Sequence, residues 1–391
     1  MTRIVADWMQ RPETRAVCDI LAAGGHAALF VGGCVRNALL DAPVDDIDIA
    51  TDALPDRVMA LATAAGLKPV PTGVDHGTVT VVSDGVPHEV TTFRRDVETD
   101  GRRAVVAFTG DVAEDARRRD FTMNALYARP DGSVIDPLGQ GLDDLAARRL
   151  RFIDDAEARI REDYLRILRF FRFHAWYGDP SAGLDAEGLA ACAARSAGIE
   201  TLSRERIGHE MRKLMAAPDP APSLAAMEMA GCLLPVLPGA SSRALPILVH
   251  LEGAVGAVPD AIRRLASLGG EGAVDRLRLS KDDARRLSLV RDMALGETGT
   301  ADIAYRHGAD LARDAILVRS ALYEAPLPAR MAEDIAQGAK ARFPIEAADL
   351  MPDWTGKALG DRLRQLEDDW IASGFTLDRD TLLARAAAKD Q

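Results

Sequence analysis

An α+β N-terminal domain followed by an all-helical array is the architecture this sequence predicts. Strand-like apolar runs bounded by turn residues occur only before about residue 150. Beyond it the chain reads as helix after helix, punctuated by proline and glycine clusters at 178–183, 218–222 and 235–239. The composition, 48% hydrophobic, 28% charged and 5% aromatic, suits a helix-rich globular chain and excludes a disordered or collagen-like one. At 391 residues the chain is long enough for two or three domains.

The first helix is predicted from Ala16, Val17, Ile20 and Leu21, which share one helical face. It should stop at Gly24 and Gly25, since glycine adopts the helix-ending backbone turn without steric penalty. Residues 28–31 read as a short buried strand, Gly32 and Gly33 as a turn, 35–40 as a helix and 45–50 as a second strand. A helical pattern over 55–65 follows, then strand-like runs at 77–82, 87–92 and 133–135, with a further helical pattern around Asn124.

The charge balance of 48 Lys+Arg against 60 Asp+Glu gives −12, so the molecule as a whole should repel nucleic acid. Any nucleic-acid role must rest on local basic surface. Residues 91–173 hold 16 arginines and 16 acids and are neutral, so the acidity belongs to the rest of the chain. Cys18, Cys34, Cys192 and Cys232 lie far apart, in no zinc or disulfide pattern, and are expected to be isolated reduced thiols. The first twenty residues carry charges throughout, unlike a secretory signal. No window nears the roughly 18 apolar residues that span a membrane. A cytoplasmic location is expected, and nothing fixes an oligomeric state.

Three constellations carry chemistry. In 29-LFVGGCVRNALLDAPVDDIDIAT-51 a strand runs through a double glycine into a helix, letting main-chain N–H groups approach an anion. No GK[ST] or GxGxxG pattern accompanies it. In the strand that follows, Asp46 and Asp48 would share a face. Neighbouring carboxylates repel unless a cation joins them, and magnesium is the expected one because it also takes phosphate oxygens. Glu89, on a plausible neighbouring strand, is the candidate third acid. The second constellation, 114-EDARRRDFTMNAL-126, joins three arginines to Asp120 and Asn124, groups able to clamp a triphosphate and fix ribose or base. The third, 161-REDYLRILRFFRF-173, reads as one helix with Glu162, Arg166 and Arg169 in a narrow arc, Asp163 at its edge, and Leu165, Ile167, Leu168 and Phe171 buried opposite. Asp163 accepts and Arg166 donates, a pairing suited to the edge of an incoming base. A solvated helix with ion pairs would look similar.

Taken together, these motifs resemble, in order from about Leu29 to Leu214, the class II tRNA nucleotidyltransferase / poly(A) polymerase family of the polymerase beta superfamily. The resemblance implies a nucleotidyltransferase head over 1–145, a helical neck over 146–216 and a helical, tRNA-binding body and tail over 217–391. It implies that Asp46 and Asp48 bind magnesium and that Gly32, Gly33 and Arg36 face the triphosphate. Arg119, Asp120 and Asn124 would hold the nucleotide, and Glu162, Asp163, Arg166 and Arg169 would select the base. The segment 136–145 resembles the link from head to neck, and 203-SRERIGHEMRKLM-215 a neck helix. Asn37 stands where the family commonly has aspartate, and Gln140 interrupts what is usually a double glycine. The stretch 72-TGVDHGTVTV-81 lacks the basic segment of the poly(A) branch, and 94-RRDVETDGRRAVVAF-108 resembles the flexible loop used in switching from C to A addition. The implied activity is addition of C, C and A to the 3′ end of tRNA from CTP and ATP. The alternatives are a poly(A) polymerase and a catalytically silent RNA-binding module on the same fold.

Overall fold

The computed structural model describes residues 2–100 and 103–387. The chain divides into two compact units, one formed by Met1–Ala240 with Gly270–Arg278, the other by Ser241–Gly269 and the chain from Leu279 on. In the first unit, helix α1 (Pro12–Ala23) ends at Gly24 as expected and buries Val17 and Leu21. Strand β1 (Leu29–Val31) turns at Gly32 into helix α2 (Gly33–Leu39), and β2 (Asp48–Thr51) and α3 (Pro55–Ala64) follow. Strands β3 (Lys68–Gly73), β4 (Thr78–Ser83) and β5 (Val86–Thr92) come next, then a hairpin of β6 (Arg94–Asp100) and β7 (Arg103–Phe108). Helix α4 (Val112–Arg117), strands β8 (Tyr127–Ala128) and β9 (Val134–Ile135) and helix α5 (Gly141–Ala146) complete the mixed region.

Seven strands form one sheet in the order β3-β4-β5-β2-β1-β8-β9, with β6 and β7 in a separate two-stranded sheet. Among the described residues only β2 and β5 run parallel. Alternation sets the faces: β4 buries Val79, Val81 and Ser83, and β5 buries His88, Val90 and Thr92. These residues face α1, where the Thr14 hydroxyl lies 3.0 Å from His88 Nε2. Glu89 therefore points to the opposite face.

After residue 150 no strand occurs among the described residues. The first unit continues with α6 (Ala156–Glu162), α7 (Leu165–Tyr177), α8 (Ala186–Ala194) and α9 (Arg204–Met215), then helices Ala221–Met229 and Leu233–Val236. Aromatic rings lock α7 to the mixed region: Phe121 lies 4.9 Å from Phe152 and 5.4 Å from Phe173, and Phe152 stacks on Phe170 at 5.4 Å. The returning segment Gly270–Arg278 meets α9 at Gly208, where an added Cβ would lie 1.9 Å from the Leu277 carbonyl oxygen.

The second unit is helical. One of its cores gathers Ile303, Ala312, Ala315, Ile316, Met331 and Ile335, another Leu350, Leu366, Trp370 and Leu382. Its interior also holds charge: buried Arg263 pairs with Glu252 at 2.7 Å and Asp314 at 2.9 Å, and Arg264 with Glu252 at 2.8 Å. All four cysteines are buried free thiols, their pKa values raised by burial. Among the described residues no helix is long and apolar enough to cross a membrane.

Candidate active site

The turn after β1 requires glycine. Gly32 sits at φ 71°, ψ −120°, a conformation side-chain-bearing residues avoid, and an added Cβ would lie 3.2 Å from Arg119 Nη1. Its helix delivers Arg36 inward. This side chain is only 6% exposed and bonds from Nη1 to Asn124 Oδ1 at 2.6 Å and from Nη2 to Tyr177 Oη at 2.9 Å. Its guanidinium also lies 3.9 Å from the centre of the Tyr177 ring. Asn37 Oδ1 accepts from Arg36 Nε and Nη2, while Asn37 Nδ2 donates 2.7 Å to the Pro43 carbonyl. A carboxylate could not make that last bond, so the asparagine braces the segment leading to the aspartates.

Strand β2 is shorter than the sequence pattern suggests. It begins at Asp48, leaving Asp45 and Asp46 exposed in the preceding segment, so strict strand alternation does not govern Asp46. The parallel register pairs Asp48 directly with Glu89. Burial, then Glu89, and more weakly Asp46, push the Asp48 carboxyl up to about 6, against the pull of Arg119. Among the described residues no three His, Cys, Asp or Glu side chains gather as a preformed metal cage.

The second constellation connects to the first. Asp120, 7% exposed, accepts from Asn124 Nδ2 at 3.0 Å and pairs with Arg169 at 2.5 Å. Burial opposes its charge, but Arg169 and Asn124 hold its carboxyl down at about 2. Arg36, Asn124, Asp120 and Arg169 thus form one continuous chain of hydrogen bonds across segments far apart in sequence. Arg119 is held by Tyr127 Oη at 3.2 Å and Asp115 at 3.4 Å, and Tyr127 Oη donates to Asp115 at 2.7 Å. Asn124 lies in a single 3-10 turn, Thr122–Asn124, rather than a longer helix.

The third constellation departs from a single helix. Helix α6 ends at Glu162, Asp163 is extended at φ −155°, ψ 106°, and α7 starts at Leu165. Asp163 caps the new helix, accepting from Leu165 N at 3.1 Å, and pairs with Arg206 of α9 at 2.6 Å. Glu162 bridges the break, pairing with Arg159 at 2.6 Å and Arg166 at 2.5 Å. Leu165, Ile167, Leu168 and Phe171 are buried as expected. The sequence reading missed Arg159, which donates to the carbonyls of Arg118 and Arg119, and Tyr177, which covers Arg36. Signals existed for both: Arg159 lies three before Glu162, and Tyr177 eight after Arg169, on shared helix faces. The segment 94–108 forms the β6–β7 hairpin, its Gly101 and Arg102 lying outside the described residues.

Residues 28–151 match the family model described as the poly A polymerase head domain, and 184–243 one described as a probable RNA and SrmB-binding site of polymerase A. The chain is 42% identical over 207 residues to the CCA-adding enzyme of Bacillus cytotoxicus, an alignment covering 52% of this chain and 50% of that protein. It spans about half the length of several such bacterial relatives. With the mitochondrial CCA tRNA nucleotidyltransferase 1 of Mus musculus it is 31% identical over 95% of this chain and 88% of that one. The crystal structure of the Bacillus stearothermophilus CCA-adding enzyme in complex with CTP superposes with a TM-score of 0.71 at 25% identity, covering 96% of this chain and 97% of that one. A Thermotoga maritima CCA-adding enzyme shares the fold, with a TM-score of 0.71 at 16% identity over 99% of each chain. The ordered motifs, the fold and the near full-length likeness to the mouse protein agree: this chain belongs to the tRNA nucleotidyltransferase / poly(A) polymerase family.

Proposed function

We propose that this protein adds C, C and A to the 3′ end of tRNA, using CTP and ATP and releasing pyrophosphate, in the cytoplasm. The observation that carries the proposal is the register that sets Asp48 beside Glu89, with Asp46 two residues ahead of it. A carboxyl whose pKa is raised by burial and by neighbouring carboxylates, as that of Asp48 is, has the chemistry of a site completed by a cation and substrate oxygens. Nucleotidyltransferases of this family use divalent metals, and here Asp46 and Asp48, with Glu89 beside them, would hold magnesium. Bound there, magnesium would acidify the attacking hydroxyl and offset charge on the leaving pyrophosphate.

The chain's own residues do the rest. The reaction joins the RNA 3′ oxygen to the α-phosphorus of the nucleotide and breaks the bond to pyrophosphate. Gly32 and Gly33 let the α2 backbone approach the triphosphate, and Arg36 and Arg119, both preplaced, offset its charge without reorganisation. Asp120 and Asn124 hold the sugar end, with Glu162, Asp163, Arg166 and Arg169 at the base. The neck (146–216) would steady this site, and the helical region from 217 on would hold the tRNA acceptor arm by shape and phosphate contacts. Relatives of this fold in complex with CTP, ATP and tRNA support the reading.

The test is incubation with tRNA lacking its 3′ CCA, with CTP and ATP together and singly. Growth by three nucleotides and no more is the expected result. Continued extension with A makes the protein a poly(A) polymerase, and no incorporation into any RNA makes it a silent RNA-binding module.

A further inference from the structure

A reaction that joins two substrates needs two approaches to the same carboxylates, and the residues above account for the nucleotide alone. A cleft of about 460 Å³ opens in the first unit on the other side of Arg36. The Arg36 guanidinium points Nη1 at Asn124, in the nucleotide network, and Nη2 at Tyr177 and Asn37, which line this cleft. The cleft reaches Asp45, the neighbour of Asp46.

Its walls have the chemistry of a single-stranded RNA subsite. On α7, Phe170, Phe171 and Phe173 are buried, yet Trp176 leaves 40% of its surface exposed and lines the cleft. Its ring is pinned, because Nε1 donates 2.8 Å to the Lys213 carbonyl. An exposed indole held in one orientation is a platform for a base, whose π-face stacks whatever its identity. The exposed side chains of Lys213 and Arg148 flank it. Lys213 joins no ion pair among the described residues, and the Asp179 carboxylate near Arg148 already accepts from Ser181 N and Oγ at 2.8 and 2.7 Å. Both cations can therefore meet a phosphodiester, and Asp45 at the active-site end offers an acceptor for a ribose hydroxyl.

We infer that this cleft binds a nucleotide at the 3′ end of the RNA being extended, its base stacked on Trp176 and its phosphate between Lys213 and Arg148. The inference rests on the reading that the chain extends an RNA end, and it gives the growing strand a position across Arg36 from the incoming nucleotide.

Steady-state incorporation into a tRNA acceptor hairpin ending in CC tests it. Trp176→Ala should raise KM for the RNA about tenfold, as loss of one base stack does, with KM for ATP unchanged. Trp176→Phe, which loses the Lys213 bond but keeps an aromatic face, should recover most of the loss. An unchanged RNA KM in Trp176→Ala, or an equal rise in both KM values, overturns the inference. A second readout is independent of activity: the same hairpin should quench the tryptophan fluorescence of the wild-type protein and not that of Trp176→Phe. Equal quenching in both refutes the subsite even if the enzyme is active. Quenching confined to the wild type upholds the subsite even if the activity proposal fails.

Discussion

Asp48 has an acid–base signature that can be tested without turnover. Its carboxyl sits at about 6 in the fold against an ordinary 3.8, so the folded protein binds this proton more tightly than the unfolded chain. Stability is thus lost as pH rises from about 4 to about 6, the reverse of a salt-bridged carboxylate. In EDTA, Asp48→Asn should therefore melt higher than wild type at pH 7.5, by about 1–2 kcal/mol after allowance for its partial exposure, and the gap should close by pH 4. Magnesium should raise the melting temperature of wild type and not of the variant. A variant that melts lower at pH 7.5 contradicts the crowded-carboxylate picture. At this scale the sequence was readable where residues are close in chain, as in the alternation of Glu89 with Val90 along β5, but the spacing of Asp46 and Asp48 misled, because β2 begins only at Asp48. It was silent on Arg36 stacking on Tyr177, a contact between residues 141 apart that only tertiary packing creates.

Element boundaries show which signals the chain writes locally. Strand β3 escaped the sequence reading because Pro69 and Pro71 argue against a strand, yet it is the outermost strand of the sheet, where a missing N–H goes unpunished. The break between α6 and α7 escaped because it uses neither glycine nor proline. A single extended aspartate interrupts the helix, and what stabilises the interruption, Arg206, arrives from α9. On the proposed reading that Asp163 meets the base, that arrangement makes Arg206 a positioning residue for base choice. Arg206→Ala should cost under about 1 kcal/mol of stability, since the pair is partly exposed, but should change the ratio of kcat/KM for CTP and ATP, by up to about tenfold, once Asp163 loses its charged hydrogen bond. A ratio that stays fixed while stability collapses would assign Arg206 to packing alone.

Across the molecule, charge is apportioned rather than merely negative. With −12 overall and neutrality over 91–173, few cations are free to meet phosphates. The logarithm of tRNA affinity should therefore fall with the logarithm of salt with a slope shallower than about −4, reflecting roughly four or fewer neutralised phosphates. Unrelated duplex DNA should fail to compete at about 0.15 M salt. A steep slope with DNA competition would mean a basic surface that the composition hides. The division of the chain has a consequence of another kind. Since Gly270–Arg278 returns to the first unit and seats Leu277 against Gly208, the backbone passes between the units three times. The first unit is therefore no detachable cassette. A fragment ending at residue 240 would lack a piece of its own interior, a single protease cut at 240 would leave the halves tethered, and any chimaera that exchanges the helical portion must carry the returning stretch with its original partner.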